Sequence, residues 1–174
     1  HRDVKPANLI VDVDAPDGVG VKLCDFGIAR EERTLDAEEE LTMDGAPGTP
    51  SYMAPEQVDG RPVDARTDVY ALGVTLYELL AGQPPFKGAA HFIMVSHLTE
   101  PPPPITSVEP SVPADLAEVV MRCLEKDPRR RYDDAGAFLA ALEEAVRGVE
   151  ATTSITLPQA IGIDGEPKVY DFQW

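Results

Sequence analysis

The chain has 174 residues and a formal net charge of −16. That length suffices for one domain with a real core, and the acidity argues against a nucleic-acid binder or a binder of anionic membranes. Two cysteines, Cys24 and Cys123, provide neither a disulfide framework nor a metal set and suit a reducing compartment, Cys24 reading as a buried thiol.

The chain opens on His1-Arg2-Asp3-Val4-Lys5-Pro6-Ala7-Asn8, a turn with an acid, a base and an amide closely spaced and a proline stiffening it. The apolar run Leu9-Ile10-Val11 predicts a strand, Asp14-Ala15-Pro16-Asp17-Gly18 a turn, and Val21-Lys22-Leu23 the returning strand. Such a hairpin brings Asn8 and Asp25 to neighbouring strand ends, where both can reach one metal ion. A second short string, Asp25-Phe26-Gly27, follows, and Gly27 lets the backbone turn sharply. Residues 31–47 carry no sustained apolar period and read as a mobile loop. Much of the acidity gathers there, in Glu31, Glu32, Asp36, Glu38, Glu39, Glu40 and Asp44 against Arg33.

A third string is Gly48-Thr49-Pro50-Ser51-Tyr52-Met53-Ala54-Pro55-Glu56, with a short helical turn over Pro55-Glu56-Gln57-Val58. Arg61-Pro62-Val63-Asp64 reads as a connector. The clearest helix spans 68–81, with Val69, Leu72, Gly73, Leu76 and Leu80 on one face, apolar residues on the others, and Asp68 in the first turn where it complements the dipole. A helix apolar on most sides belongs in the centre of a domain. Gly82 and Pro84-Pro85 end it. A helix over 89–98 and an extended proline connector, Pro101 to Pro104, come next. Pro113 starts a helix whose Leu116, Val119, Val120, Cys123 and Leu124 share a face, and Asp127-Pro128 stops it. Asp134 caps the last helix, with Phe138, Leu139, Leu142 and Val146 as its inner stripe and Gly148 at its end. Residues 148–174 read as a linker or the start of a following region, where Tyr170, Phe172 and Trp174 alternate as in a strand. His91 and His97 read as ordinary packing or surface positions. The longest apolar stretch, Val69 to Tyr77, is far short of a membrane span.

The three strings, in this order, resemble the catalytic loop, metal-binding loop and activation-segment end of protein kinases. The resemblance covers residues 1–147 and is closest to bacterial members of the eukaryotic-like (Hanks-type) serine/threonine family. It implies an α+β, mostly helical fold: the large C-terminal lobe, with short β-hairpins at the catalytic and metal-binding loops. A smaller strand-rich lobe, bearing a glycine-rich loop and a strand lysine, would precede His1, and neither motif occurs in this sequence. By the same resemblance Asp3 is the catalytic base, Lys5 the cation on the γ-phosphate, and Asn8 and Asp25 the ligands of Mg²⁺ or Mn²⁺ that hold ATP. Thr49 links Asp3 and Lys5. His1 and Phe26 pack as part of a column, and Asp68 holds the backbone beside His1. Glu56 forms a buried ion pair with an arginine of Asp127-Pro128-Arg129-Arg130-Arg131, and the spacing favours Arg131. Arg2 receives a phosphate placed on the 31–47 loop, at Thr42 in preference to Thr34.

The resemblance implies phosphoryl transfer from ATP to Ser/Thr hydroxyls of a protein substrate, in the cytoplasm, with any membrane anchor lying outside these residues. The residues by themselves would be nearly inactive without the smaller lobe. Two other readings compete. A kinase-like small-molecule phosphotransferase would share Asp3 and Asn8, but Thr49 and Ala54-Pro55-Glu56 resemble a platform for a peptide acceptor. A non-catalytic interaction module is disfavoured because every chemical residue expected of this lobe is present.

Overall fold

The computed structural model describes residues 1–15, 18–25, 50–147, 160–161 and 167–168. Strands β1 (Leu9–Ala15) and β2 (Gly18–Leu23) pair antiparallel, with Leu9 opposite Leu23 and Val11 opposite Val21. The hairpin is longer than its two apolar triplets, because Asp12-Val13 continues the alternation of β1 and a bulge between Asp12 and Ala15 absorbs the turn chemistry. A second small pairing joins β3 (Ala160–Ile161) to β4 (Pro167–Lys168) within the stretch read as a linker.

The rest is helical. A short helix, α1 (Pro55–Val58), starts on a proline that cannot donate at a position where no donor is needed. The central helix, α2 (Ala65–Ala81), begins earlier than its apolar periodicity: Asp64, read as part of a connector, accepts from the Arg66 N–H at 2.8 Å and caps it. Gly82, at φ 71°, ends it in the left-handed region. Val69, Tyr70, Val74 and Tyr77 are its deepest side chains, so its inner line is rotated from the Leu72–Leu76–Leu80 stripe, which is only partly buried.

Helices α3 (Ala90–Thr99), α4 (Ile105–Val108), α5 (Ala114–Cys123) and α6 (Ala135–Arg147) surround α2. Helix α4 is too short to show a period in the sequence, yet Ile105 is fully buried, worth about 1.5–3 kcal/mol by transfer. The proline connector ahead of it is fixed where Tyr77 donates to the Pro103 carbonyl at 3.1 Å. Leu116, Val119, Val120, Cys123 and Leu124 all point inward from α5 and the residue after it. Helices α2 and α5 approach so closely at Gly73 that a Cβ there would lie 2.4 Å from the Cys123 Cβ. Only glycine leaves room for that contact.

The stripe on α6 needs correction. Asp134 does cap the helix, accepting from Ala137 N–H at 2.8 Å, and Phe138 is buried against Tyr132. Leu139 and Val146, however, are 52% and 39% exposed. The packed line runs Phe138, Ala141, Leu142 and Ala145. Two alanines let the helix lie closer to its neighbours than leucine and valine would. Gly148, the expected end of α6, and Tyr170, Phe172 and Trp174 lie outside the described residues.

Candidate active site

The opening loop is pinned by Val4, which is buried, while Asp3 and Lys5 on either side stay half-exposed. Pro6 fixes the first φ of a 3₁₀ turn over Pro6–Asn8, closed by Asn8 N–H to the Lys5 carbonyl at 3.0 Å. This turn folds Asn8 back toward Asp3. Its amide nitrogen donates to the Asp3 carbonyl at 2.7 Å and to Asp3 Oδ2 at 3.2 Å. Lys5 Nζ lies 3.1 Å from the same Oδ2. Because the Asn8 nitrogen faces Asp3, its planar amide turns Oδ1 the other way.

The hairpin then does what its sequence implies. Cys24 N–H donates to the Asn8 carbonyl at 2.9 Å, continuing the Leu9–Leu23 register, so Asp25 emerges beside Asn8 with its carboxylate exposed. Asn8 Oδ1 and the Asp25 carboxylate are hard oxygen donors and fit a magnesium or manganese ion. Asp25 (φ 56°) and Arg2 (φ 67°) both occupy the left-handed region, at a cost of roughly 1–3 kcal/mol each. The surroundings hold Arg2 there. One carboxylate, Asp68 on α2, accepts from the backbone nitrogens of His1 at 2.9 Å and Arg2 at 2.8 Å. Gln57 on α1 donates to the Arg2 carbonyl at 3.1 Å. His1 Nε2 donates to the Cys24 carbonyl at 3.0 Å, tying the loop to the end of β2.

Glu56 and Arg131 meet as the motif spacing implies. Arg131 donates from Nη1 to Oε1 at 2.7 Å and from Nη2 to Oε2 at 2.9 Å, with both side chains at most 3% exposed. Arg129 and Arg130 of the same run are exposed. The turn before α1 is gripped as well. Tyr52 donates to Glu78 on α2, and burial together with that carboxylate pushes the phenol well above its ordinary range. His97, fully buried, bridges the Ser51 carbonyl at 3.0 Å and the Tyr70 hydroxyl at 2.7 Å.

Burial, then the nearby Lys126 charge, lowers the His97 pKa to about 4, against a smaller opposing effect of its bond to Ser51. The unfolded ring takes a proton near pH 6.5 that the folded ring refuses until about pH 4. Stability from this ring is therefore complete above pH 6.5 and is lost as the pH falls toward 4, by about 3 kcal/mol in all. Urea titrations across that range should show the loss, and His97→Gln should flatten it.

Asp3, Lys5, Asn8, Asp25, Asp68 and Arg2 thus share one neighbourhood, and Glu56 and Arg131 a second. Thr49, Phe26, Gly27, Thr34 and Thr42, with the rest of the acidic loop read as mobile, lie outside the described residues. Cys24 is half-buried rather than buried, because it stands at the open end of the hairpin; its thiol donates to the Asn8 carbonyl at 3.2 Å. Two residues have roles beyond what their sequence context implies. Gln57 sits at the third position of α1 and accepts from Ala54 N–H at 3.0 Å, a helix-start signal hidden by the lack of a Ser or Thr partner. His97 is more than filling, since both ring nitrogens are bonded.

The family model described as the protein kinase domain matches residues 1–142. Serine/threonine-protein kinase Pkn1 of Myxococcus xanthus is 46% identical over 149 residues, covering 84% of this chain and 21% of that protein. Serine/threonine-protein kinase PknB of Mycobacterium tuberculosis is 41% identical over 150 residues, covering 85% and 23%. The crystal structure of the Mycobacterium tuberculosis PknI kinase domain superposes with a TM-score of 0.58 at 30% identity, covering 83% of this chain and 46% of that one. The chain therefore spans about a fifth of the length of these curated relatives.

Proposed function

The chain belongs to the protein kinase family, and on that premise we propose that it is the acceptor-binding lobe of an enzyme that moves the γ-phosphoryl group of ATP to Ser/Thr hydroxyls of proteins. The observation that carries this reading is the Asp3 carboxylate, 3.1 Å from Lys5 Nζ and 3.2 Å from the Asn8 amide, at the foot of a hairpin that brings up Asp25. Phosphoryl transfer needs positioning and charge neutralisation more than covalent chemistry. Asp3 orients the acceptor hydroxyl and takes its proton. Lys5 offsets charge on the transferring group. Asn8 Oδ1 and Asp25 would hold Mg²⁺ or Mn²⁺, which supplies charge neutralisation between the phosphates.

We further infer that a smaller lobe completes the nucleotide site. Ile10, Val11, Val13 and Val21 of the hairpin are each more than half exposed, which suits a surface covered by another unit. The 174 residues alone are then nearly inactive. Two free thiols and use of ATP suit the cytoplasm; no helix among the described residues is long and apolar enough to cross a membrane.

The test is acceptor choice by the intact enzyme with both lobes. Labelled phosphate is expected on serine or threonine of protein acceptors and absent from aminoglycosides and choline. Transfer to the small molecules alone would establish the phosphotransferase reading instead, and no transfer to any acceptor the interaction module.

A further inference from the structure

The turn over Pro50–Tyr52 follows Thr49 directly and leads into Ala54-Pro55-Glu56, the stretch read as the platform for the acceptor. Among the described residues, its backbone is held from outside at Ser51, by a bond from His97. A carbonyl oxygen only accepts, so His97 Nε2 carries the proton of the 3.0 Å bond to Ser51. Nδ1 is then an acceptor, and the Tyr70 hydroxyl, 2.7 Å away, donates to it. The Tyr70 oxygen in turn accepts from Lys126 Nζ at 3.4 Å. The direction of every bond from Lys126 through Tyr70 and His97 to Ser51 is thereby fixed.

The ring has no freedom to turn. It stands edge-on to Tyr70, with centroids 5.5 Å apart, and edge-on to Phe86 at 5.0 Å. Lys126 lies over the Phe86 ring at 4.7 Å and also donates to the Ser96 carbonyl at 3.1 Å, one residue before His97. Arg131, on Glu56, covers the Tyr70 ring at 4.8 Å. So α2, α3 and the segment after α5 all converge on one imidazole, and its outward bond goes to the acceptor-side backbone.

We propose that His97 is a positioning residue for the protein acceptor: its Nε2–H fixes the Ser51 carbonyl and with it the backbone against which the Ser/Thr-bearing segment lies. The proposal rests on the kinase reading above. Histidine suits the position because a neutral ring has a donor and an acceptor on opposite sides. Glutamine can place a donor at similar reach, whereas phenylalanine fills the volume with no polar atom.

In the intact enzyme, His97→Phe should raise the KM for a protein acceptor about 10-fold, the scale of one lost buried hydrogen bond. Its kcat and the KM for ATP should stay within about 2-fold, since the nucleotide groups are untouched. Amide exchange at Ser51, Tyr52 and Met53 should quicken about 10-fold in the same variant, and His97→Gln should restore most of both. Unchanged acceptor KM and exchange in a folded His97→Phe would overturn the proposal, as would a His97→Gln no better than His97→Phe. If His97→Phe does not fold, the same readouts on Tyr70→Phe decide, because that change removes the bond that orients the ring, together with the longer 3.4 Å bond from Lys126, and leaves the imidazole in place. Faster exchange and a raised acceptor KM there support the proposal, and wild-type values for both overturn it. Failure of the wild-type enzyme to phosphorylate any protein sinks the kinase reading separately, and the exchange measurement still reports whether His97 holds the turn.

Discussion

Asp3→Asn in the intact enzyme is expected to lower kcat about 1,000-fold, within the range that a positioned general base supplies. The substitution keeps the shape of the side chain and removes its charge and its capacity to accept a proton. Asn8 can still donate to the Asp3 main-chain carbonyl at 2.7 Å, so the loop itself should persist. Lys5, 3.1 Å from the lost charge, keeps its place on a loop anchored by buried Val4. The KM for ATP should therefore move little, because the nucleotide is held through Asn8 and Asp25 in this reading. Steady-state kinetics with a protein acceptor give the answer, and a thermal melt shows whether the fold survived. A variant that kept more than about a tenth of wild-type kcat would remove Asp3 from the role of base.

The geometry explains why a single carboxylate can matter so much. Asp3 follows Arg2, whose left-handed backbone is held by Asp68 and Gln57 from two different helices. Strain of this kind persists only where the surroundings over-determine it. Here the over-determination aims one side chain.

Much of this was legible in the sequence because it is local. Asp3, Lys5 and Asn8 fall within one turn, and a hairpin of predictable register brings in Asp25. Helix α5 was legible too, since the side chains it buries, Leu116, Val119, Val120 and Cys123, are themselves the apolar ones that recur at helical spacing. Helix α6 was not. Its Leu139 and Val146 are as apolar as Phe138 and Leu142, and periodicity gives a stripe without saying which edge of it meets a partner. Small Ala141 and Ala145 decided the matter, and small side chains carry little signal. The contact between His97 and Ser51 was hidden for another reason. Ser51 and His97 lie far apart along the chain, and a lone histidine on an apolar helix looks the same whether it packs passively or grips a backbone. The start of α2 was missed because a cap is polar by nature and reads as connector.

The Glu56–Arg131 pair should show the largest effect on stability. All five Arg131 N–H groups are used: two on Glu56, and one each on the carbonyls of Glu125 at 2.7 Å, Arg66 at 3.0 Å and Lys126 at 3.2 Å. Thr67 adds a hydroxyl to Glu56 Oε1 at 2.8 Å. Burial opposes the charge on Glu56, yet the hydrogen bonds and charge of Arg131 outweigh it, and the net effect lowers the pKa below its ordinary 4.5. Stability from this carboxylate is present above pH 4.5 and is lost as the pH falls through the lowered value. Removing one partner is a harsher change than protonation. Glu56→Met should cost about 3–5 kcal/mol, because it strands a buried guanidinium. The midpoint of thermal unfolding should drop by roughly 10 °C for a chain of this size. Arg131→Met should cost a similar amount by stranding the carboxylate. The double variant Glu56→Met/Arg131→Met should recover part of the loss, since two apolar side chains of similar volume leave no buried charge. Denaturant titrations of the four proteins form a closed cycle. Single variants that each cost less than about 1 kcal/mol would place the pair with exposed ion pairs, and a double variant as unstable as the sum of the singles would show that the two charges do not act as a unit.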